Sequence, residues 1–173
     1  GLHWNRNEID KWEASLKLFL EEAPDTSLDH AQVKAQLASG YAYFGEYRKA
    51  YPLASEAAET YSGWGLLGAS SVCEALGKWD ESEQWARACS ESYPTYSGYK
   101  WYFWCRRTGR GDVESAGQLA EQFFLRYRTS QPTRDIHVMR GAYAYLQEDF
   151  EQARDHFRLA DKAEAEPSSY CSF

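Results

Sequence analysis

Small and apolar residues recur three to four positions apart in four stretches of the chain. They are Ala50, Ala54 and Ala57; Ser82, Ala86 and Cys89; Ala116, Ala120 and Phe123; and Ala153, Phe157 and Ala160. That spacing gathers each set on one face of an α-helix, and small side chains there let a neighbouring helix approach closely. Each set is introduced by a similar phrase. Residues 41–50 (YAYFGEYRKA) are echoed by 73–82 (CEALGKWDES) and by 144–153 (AYLQEDFEQA), with a weaker copy at 107–116 (RTGRGDVESA), where Val113 stands in for an aromatic. Each phrase predicts the end of one helix, a short turn, and a second helix that opens with an aromatic followed by a small residue. The steps between Ala50, Ser82, Ala116 and Ala153 are 32, 34 and 37 residues. The expectation is an all-α chain of repeated helix pairs.

These features resemble the tetratricopeptide repeat family, whose period is near about 34 residues. The resemblance rests on the small-residue-rich second helix, the aromatic at its start, Leu37 and Tyr41 in the first opening helix, Gly45 and Gly77 in the turns, and Pro94 at a repeat end. It covers residues 31–163. The Trp that the family carries early in the opening helix is replaced by Lys34, Leu66, Lys100 and His137, and the third copy keeps little beyond its small residues. The resemblance implies a right-handed superhelical solenoid of antiparallel helix pairs with repeats at about 28–62, 63–96, 97–131 and 132–166. Ile9, Trp12, Leu16, Phe19 and Leu20 sit at helical spacing ahead of it, so residues 1–27 are expected to form a capping or half-repeat helix. Pro24, Pro94 and Pro132 punctuate repeat ends, Ser62, Ser97 and Thr133 are expected caps, and 167–173 reads as a flexible tail.

In such a solenoid the opening helices line the concave side. The matching positions are Gln32, Ala35, Ser39 and Tyr43; Trp64, Leu67 and Ser71; Trp101 and Cys105; and Val138, Ala142 and Tyr145. Tyr43, Trp64, Trp101 and Tyr145, with Cys105 beside Trp101, would then form an aromatic groove for a peptide or protein segment. Aromatic rings supply contact area with few rotors to freeze, although a Trp at helical spacing more often packs one repeat on the next. The Lys, Arg and Asn clamp by which some family members hold a peptide carboxylate is absent, its places being filled by Ala35, Ser39, Gly68, Gly98 and Tyr102.

Charge narrows the partners. The net charge is −7, which disfavours unspecific binding to nucleic acid or an anionic membrane. Residues 100–140 reverse that sign, with 8 basic against 4 acidic side chains. Arg106, Arg107 and Arg110 form the densest basic run, a patch for an acidic partner or, more ordinarily, a solvated face. The Arg110-Gly111-Asp112 tripeptide fits the inter-helix turn, and turn chemistry is a sufficient reason for it.

Nothing in the chain signals catalysis, a metal or a cofactor. Cys73, Cys89, Cys105 and Cys171 form no C-x-x-C pair, and His3, His30, His137 and His156 do not cluster with them. The 16-residue spacing of Cys73, Cys89 and Cys105 follows the helix-pair repeat, so buried thiols are expected. Gly63–Gly68 (GWGLLG) lacks the Lys-Ser/Thr of a phosphate loop. The expected role is a non-enzymatic scaffold that binds a protein or peptide, cytoplasmic unless a signal peptide has been removed. The alternatives are self-assembly into a homodimer, and binding of a carbohydrate or other small ligand by stacking on Trp and Tyr.

Overall fold

The computed structural model describes residues 6–22, 28–126 and 134–163. Among them the chain is all-α, with nine helices: α1 (Arg6–Glu22), α2 (Leu28–Tyr43), α3 (Tyr47–Ala58), α4 (Gly63–Ala75), α5 (Trp79–Ser92), α6 (Lys100–Thr108), α7 (Val113–Arg126), α8 (Arg134–Leu146) and α9 (Phe150–Lys162). Helices pack as antiparallel neighbours within each stretch, α2 on α3, α4 on α5, α6 on α7 and α8 on α9. The chain divides into two compact units, residues 1–92 and 93–173.

The repeated phrases are the inter-helix turns. Three of them have three residues and one design. Gly45, Gly77 and Glu148 take left-handed φ values of 76°, 72° and 65°. In each turn the left-handed residue's N–H reaches back three positions, Gly45 to the Ala42 carbonyl, Gly77 to Glu74 and Glu148 to Tyr145, at 3.0 Å. The next N–H reaches back five, Glu46 to Tyr41, Lys78 to Cys73 and Asp149 to Ala144, at 2.8–3.0 Å. This pair of hydrogen bonds closes a helix because it satisfies carbonyls that the helix itself leaves without donors. The α6–α7 turn has one more residue and closes instead with one bond that reaches back four positions, from the Gly109 N–H to the Cys105 carbonyl at 2.9 Å. Asp112 and Asp149 then cap α7 and α9, their Oδ1 atoms accepting from the Ser115 and Gln152 N–H groups at 3.0 Å.

The predicted faces point inward. Ala50, Ala54, Ala57, Ser82, Ala86, Cys89, Ala116, Ala120, Phe123, Ala153 and Ala160 are all buried, whereas Phe157 is 41% exposed. Phe157 still packs along one edge: a Cβ at Gly141 would come within 2.8 Å of its ring, so a larger residue there would force the ring to move. Ser82 joins α5 to α4 by reciprocal bonds, its hydroxyl donating to the Ser70 carbonyl at 2.8 Å and that of Ser70 donating to the Ser82 carbonyl at 2.9 Å. Two satisfied buried hydroxyls of this kind contribute about 1 kcal/mol each.

In the first unit α1 packs on α2, with the Trp12 ring against Gly40. Tyr41 Oη donates to Glu13 at 2.7 Å across the same junction. Leu18 and Phe19 remain exposed. In the second unit Tyr99, Phe103, Phe123 and Phe124 form one aromatic cluster, with ring centroids 4.8–6.0 Å apart between Tyr99 and the other three.

Of the expected caps, Ser62 accepts from the Gly65 N–H at 3.3 Å. Ser97 precedes α6 by three positions, and Tyr99 occupies the cap there with no side-chain bond. Proline does not only terminate: Pro52 lies inside α3, on its exposed side. Pro24, Pro132, Thr133, Cys171, the Ile9 side chain and the 167–173 tail lie outside the described residues.

Candidate functional site

The opening-helix positions divide by helix. Tyr43 at the end of α2 is 76% exposed and Tyr145 on α8 is 58% exposed, while Trp64 at the start of α4 is half-buried. Gln32, Ser39, Ser71 and Val138 also face solvent. Trp101 and Cys105 differ: both are core residues, at 1% and 2% exposure, and are closed to a partner. The extra residue of the α6–α7 turn explains this. Counted back from the end of its helix, Cys105 corresponds to the buried Gly40 and Val72 rather than to the exposed Ser39 and Ser71. One residue is about 100° of helix rotation, enough to turn a solvent position inward, and Trp101 one turn earlier on the same face goes in with it.

The three arginines also divide. Arg106 and Arg110 border one shallow depression of about 290 Å³ with Cys105, Gly109, Gly111 and Val113. Arg107 is exposed but does not line it. Within the same turn Gly111 has φ 78° and Asp112 caps α7, so the Arg-Gly-Asp tripeptide is a helix connection.

A larger cleft lies in the second unit, between α7, α8 and α9. It measures about 500 Å³ and is bounded by Glu121, Phe124 and Leu125 of α7, Arg140, Tyr143 and Gln147 of α8, and Gln152 and His156 of α9. Its aromatic wall is the Phe124–Tyr143 pair, centroids 4.6 Å apart, backed by Tyr102 at 5.2 Å from Tyr143. Arg140 Nη2 donates to the Phe124 carbonyl at 3.5 Å, which directs the guanidinium along α7. His137 and His156 face each other with Nδ1 atoms 3.2 Å apart, one donating and the other accepting.

The electrostatics of this cleft are specific. Burial and the nearby Arg140 guanidinium hold His137 below the ordinary imidazole range. Burial, His137 and Arg140 do the same to His156, against a weak opposing pull from Asp155. Burial raises the Tyr143 hydroxyl, with Tyr102 and Glu121 adding to it, so the phenol stays protonated. Among the side chains gathered here, only His137 and His156 stood out in the sequence, as residues without a cluster. Glu121, Phe124, Arg140 and Tyr143 come from two helices and have no local signature. The available signal was register: Arg140 falls where the other opening helices bury Leu37, Ala69 and Tyr102.

Cys73, Cys89 and Cys105 are buried and in no disulfide. Burial, with the Glu81 carboxylate beside it, pushes the Cys73 thiol up to about 11, which removes it as a nucleophile at neutral pH. Among the described residues no group of three or more His, Cys, Asp and Glu side chains is placed to hold a metal ion, and no helix is long and apolar enough to cross a membrane. Compared with known proteins, the chain matches no family model, and no curated protein is significantly similar to it in sequence.

Proposed function

We propose that the chain is a short tetratricopeptide-like array that acts as a non-catalytic scaffold, holding a peptide or protein segment along its opening helices. The observation that carries this reading is the division of labour between helices. Closing helices bury their small residues, whereas α2, α4 and α8 present Gln32, Ser39, Tyr43, Ser71, Val138 and Tyr145 to solvent. Exposed aromatic side chains at the ends of α2 and α8 are the kind of contact area that a binding surface on a repeat scaffold requires. The four helix–turn–helix pairs, with a left-handed residue at the same place in each turn, support the family reading.

In this reading Tyr43 and Trp64 are the contact residues of the first unit and Tyr145 is that of the second, while Trp101 and Cys105 anchor α6 in the core of the second unit. The test is capture of proteins on the immobilised chain beside a Tyr43→Ala, Trp64→Ala, Tyr145→Ala variant of unchanged helicity. A protein retained by the native chain and lost by the variant supports the scaffold; a chain that retains nothing, or a variant that retains the same proteins, overturns it.

A further inference from the structure

We infer that the exposed face shared by α2 and α4 binds a short, uncharged, proline-rich segment in the polyproline II conformation, with Trp64 and Tyr43 stacking on prolines at its two ends. The inference rests on the scaffold reading, whose first-unit contacts it uses, and gives that surface a ligand class.

Within the first unit α2 lies against α4. Gln32, Gln36, Ser39 and Tyr43 recur at helical spacing along α2 and are all exposed. Trp64, Gly68, Ser71 and Ala75 repeat that spacing 32 positions on, half-buried or exposed, whereas Leu66, Ala69, Val72 and Cys73 are buried. The two series therefore share one side of the unit. Because α3 turns back between them, α2 and α4 run in the same direction. Trp64 near the start of α4 and Tyr43 at the end of α2 consequently stand at opposite ends of the face, with the small Ser39, Gly68 and Ser71 between them. A Cβ added at Gly68 would meet nothing within 4 Å, so the middle is an open trough. The Phe44 ring stands edge-on to Tyr43, centroids 5.0 Å apart at 86°, and braces that corner.

Charge selects the partner. Residues 1–92 hold 8 basic and 15 acidic side chains, and none occupies these positions. Of the charged groups on the two helices, Lys34 is paired with Glu56 at 2.7 Å, Asp29 lies one turn beyond Gln32, and Glu74 is half-buried beside Ala75. A charged partner would lose water over the trough without gaining a counter-charge, which favours a neutral one. Hydrogen bonding selects further. Mid-helix backbone groups are consumed within the helix, so the face offers no ladder to a partner's N–H groups. Its polar groups are the Gln32 and Gln36 amides and the Ser39 hydroxyl, since Ser71 already donates to the Leu67 carbonyl at 3.0 Å. Proline has no N–H to leave unpaired, and its carbonyl accepts from an amide. Polyproline II is extended before it binds, so little ordering entropy is lost, and its pyrrolidine rings suit aromatic surfaces. A sugar, with hydroxyls on most carbons, would find too few partners here. Gln32 and Tyr43 mark the two ends of the face, about 16 Å apart at about 1.5 Å per helical residue, a span that about five residues of polyproline II cover.

Capped decaproline is the probe, with a capped Gly-Ser peptide of equal length as the flexible neutral control and maltoheptaose as the sugar. The readout is the Trp64 indole and Tyr43 ring resonances during titration of the whole chain. Decaproline is expected to shift both, its affinity changing less than about twofold between about 0.05 and about 0.5 M salt because no ion pair forms. Trp64→Ala should weaken it about tenfold. Gly68→Leu should weaken it similarly by filling the trough, and the open space at that position keeps the fold intact should Trp64→Ala not fold. The site is overturned if decaproline at about 1 mM moves neither resonance, if the Gly-Ser peptide or maltoheptaose binds as tightly, or if salt abolishes binding. A chain that captures proteins through Tyr43 and Trp64 but ignores decaproline keeps the scaffold and loses this ligand. One that captures nothing yet responds to decaproline loses the scaffold and keeps the site.

Discussion

The α3–α4 and α7–α8 junctions occupy equivalent places in the repeat and solve the same packing problem in opposite ways. At the first, the facing positions hold Ala58, Gly65, Ala69 and Val72; at the second, the matching positions hold Phe124, Ile136, Arg140 and Tyr143. Small residues bring α4 onto α3 so closely that a Cβ at Gly65 would lie 2.6 Å from the Ala57 carbonyl oxygen. Large ones hold α8 off α7 and leave rings 4.6 Å apart with a cleft beside them. Side-chain volume at four positions therefore decides whether a helical repeat closes on itself or opens a site.

The largest test removes the spacer. Phe124→Ala should cost the second unit about 3–5 kcal/mol, because truncating a buried ring leaves a cavity that its neighbours fill only partly. Urea unfolding followed by amide exchange in α7 and α8 reads this, and a loss near zero would mean that the ring does not hold the junction. Closing the contrast from the other side, Gly65→Ala should destabilise the first unit by about 1–3 kcal/mol, since the clash is with backbone that has no rotamer to move. Gly68→Ala, where an added Cβ meets nothing within 4 Å, is the control and should be neutral or stabilising. Equal effects at the two glycines would remove close approach as the explanation.

Acid should separate the junctions without mutation. His137 and His156 are both depressed in the fold, so their contribution to stability is complete above the unfolded imidazole value of about 6.5 and is lost as pH falls through the lower folded values. Protection factors in α8 and α9, with the intrinsic pH dependence of amide exchange divided out, should therefore fall on acidification while those in α3 and α4 stay unchanged. His137→Leu, which restores the residue type of Leu66, should flatten that response. The smallest effect belongs to a turn. Glu148 takes the left-handed conformation that Gly45 and Gly77 supply in the equivalent turns. Glu148→Gly should stabilise the second unit by about 0.5–1 kcal/mol, the relief of strain being partly offset by unfolded-state entropy. A variant less stable than the native chain would show that the carboxylate makes a contact worth more than the strain.

Helix identity, turn position and the inward face of each closing helix were legible in the chain, because they depend on residues within a few positions of one another. Ala50, Ser82, Ala116 and Ala153 mark the same buried point after four turns, and no long-range contact is needed to read it. The opening helices were legible only in part. Matching Trp101 and Cys105 to solvent-facing positions assumed equal turns, and the one added residue between α6 and α7 rotates both into the core. Arg140, Tyr143, Glu121 and Phe124 escaped notice for a further reason: they lie on separate helices and become neighbours only when α7 and α8 pack. Local hydrogen bonding and the 3.6-residue period are properties of sequence order, so the sequence alone determined the helices, their turns and the repeat. Burial and cleft formation depend on side-chain volume summed across helices that are distant in the chain, so only the tertiary structure decided which aromatics face solvent and where charged groups converge.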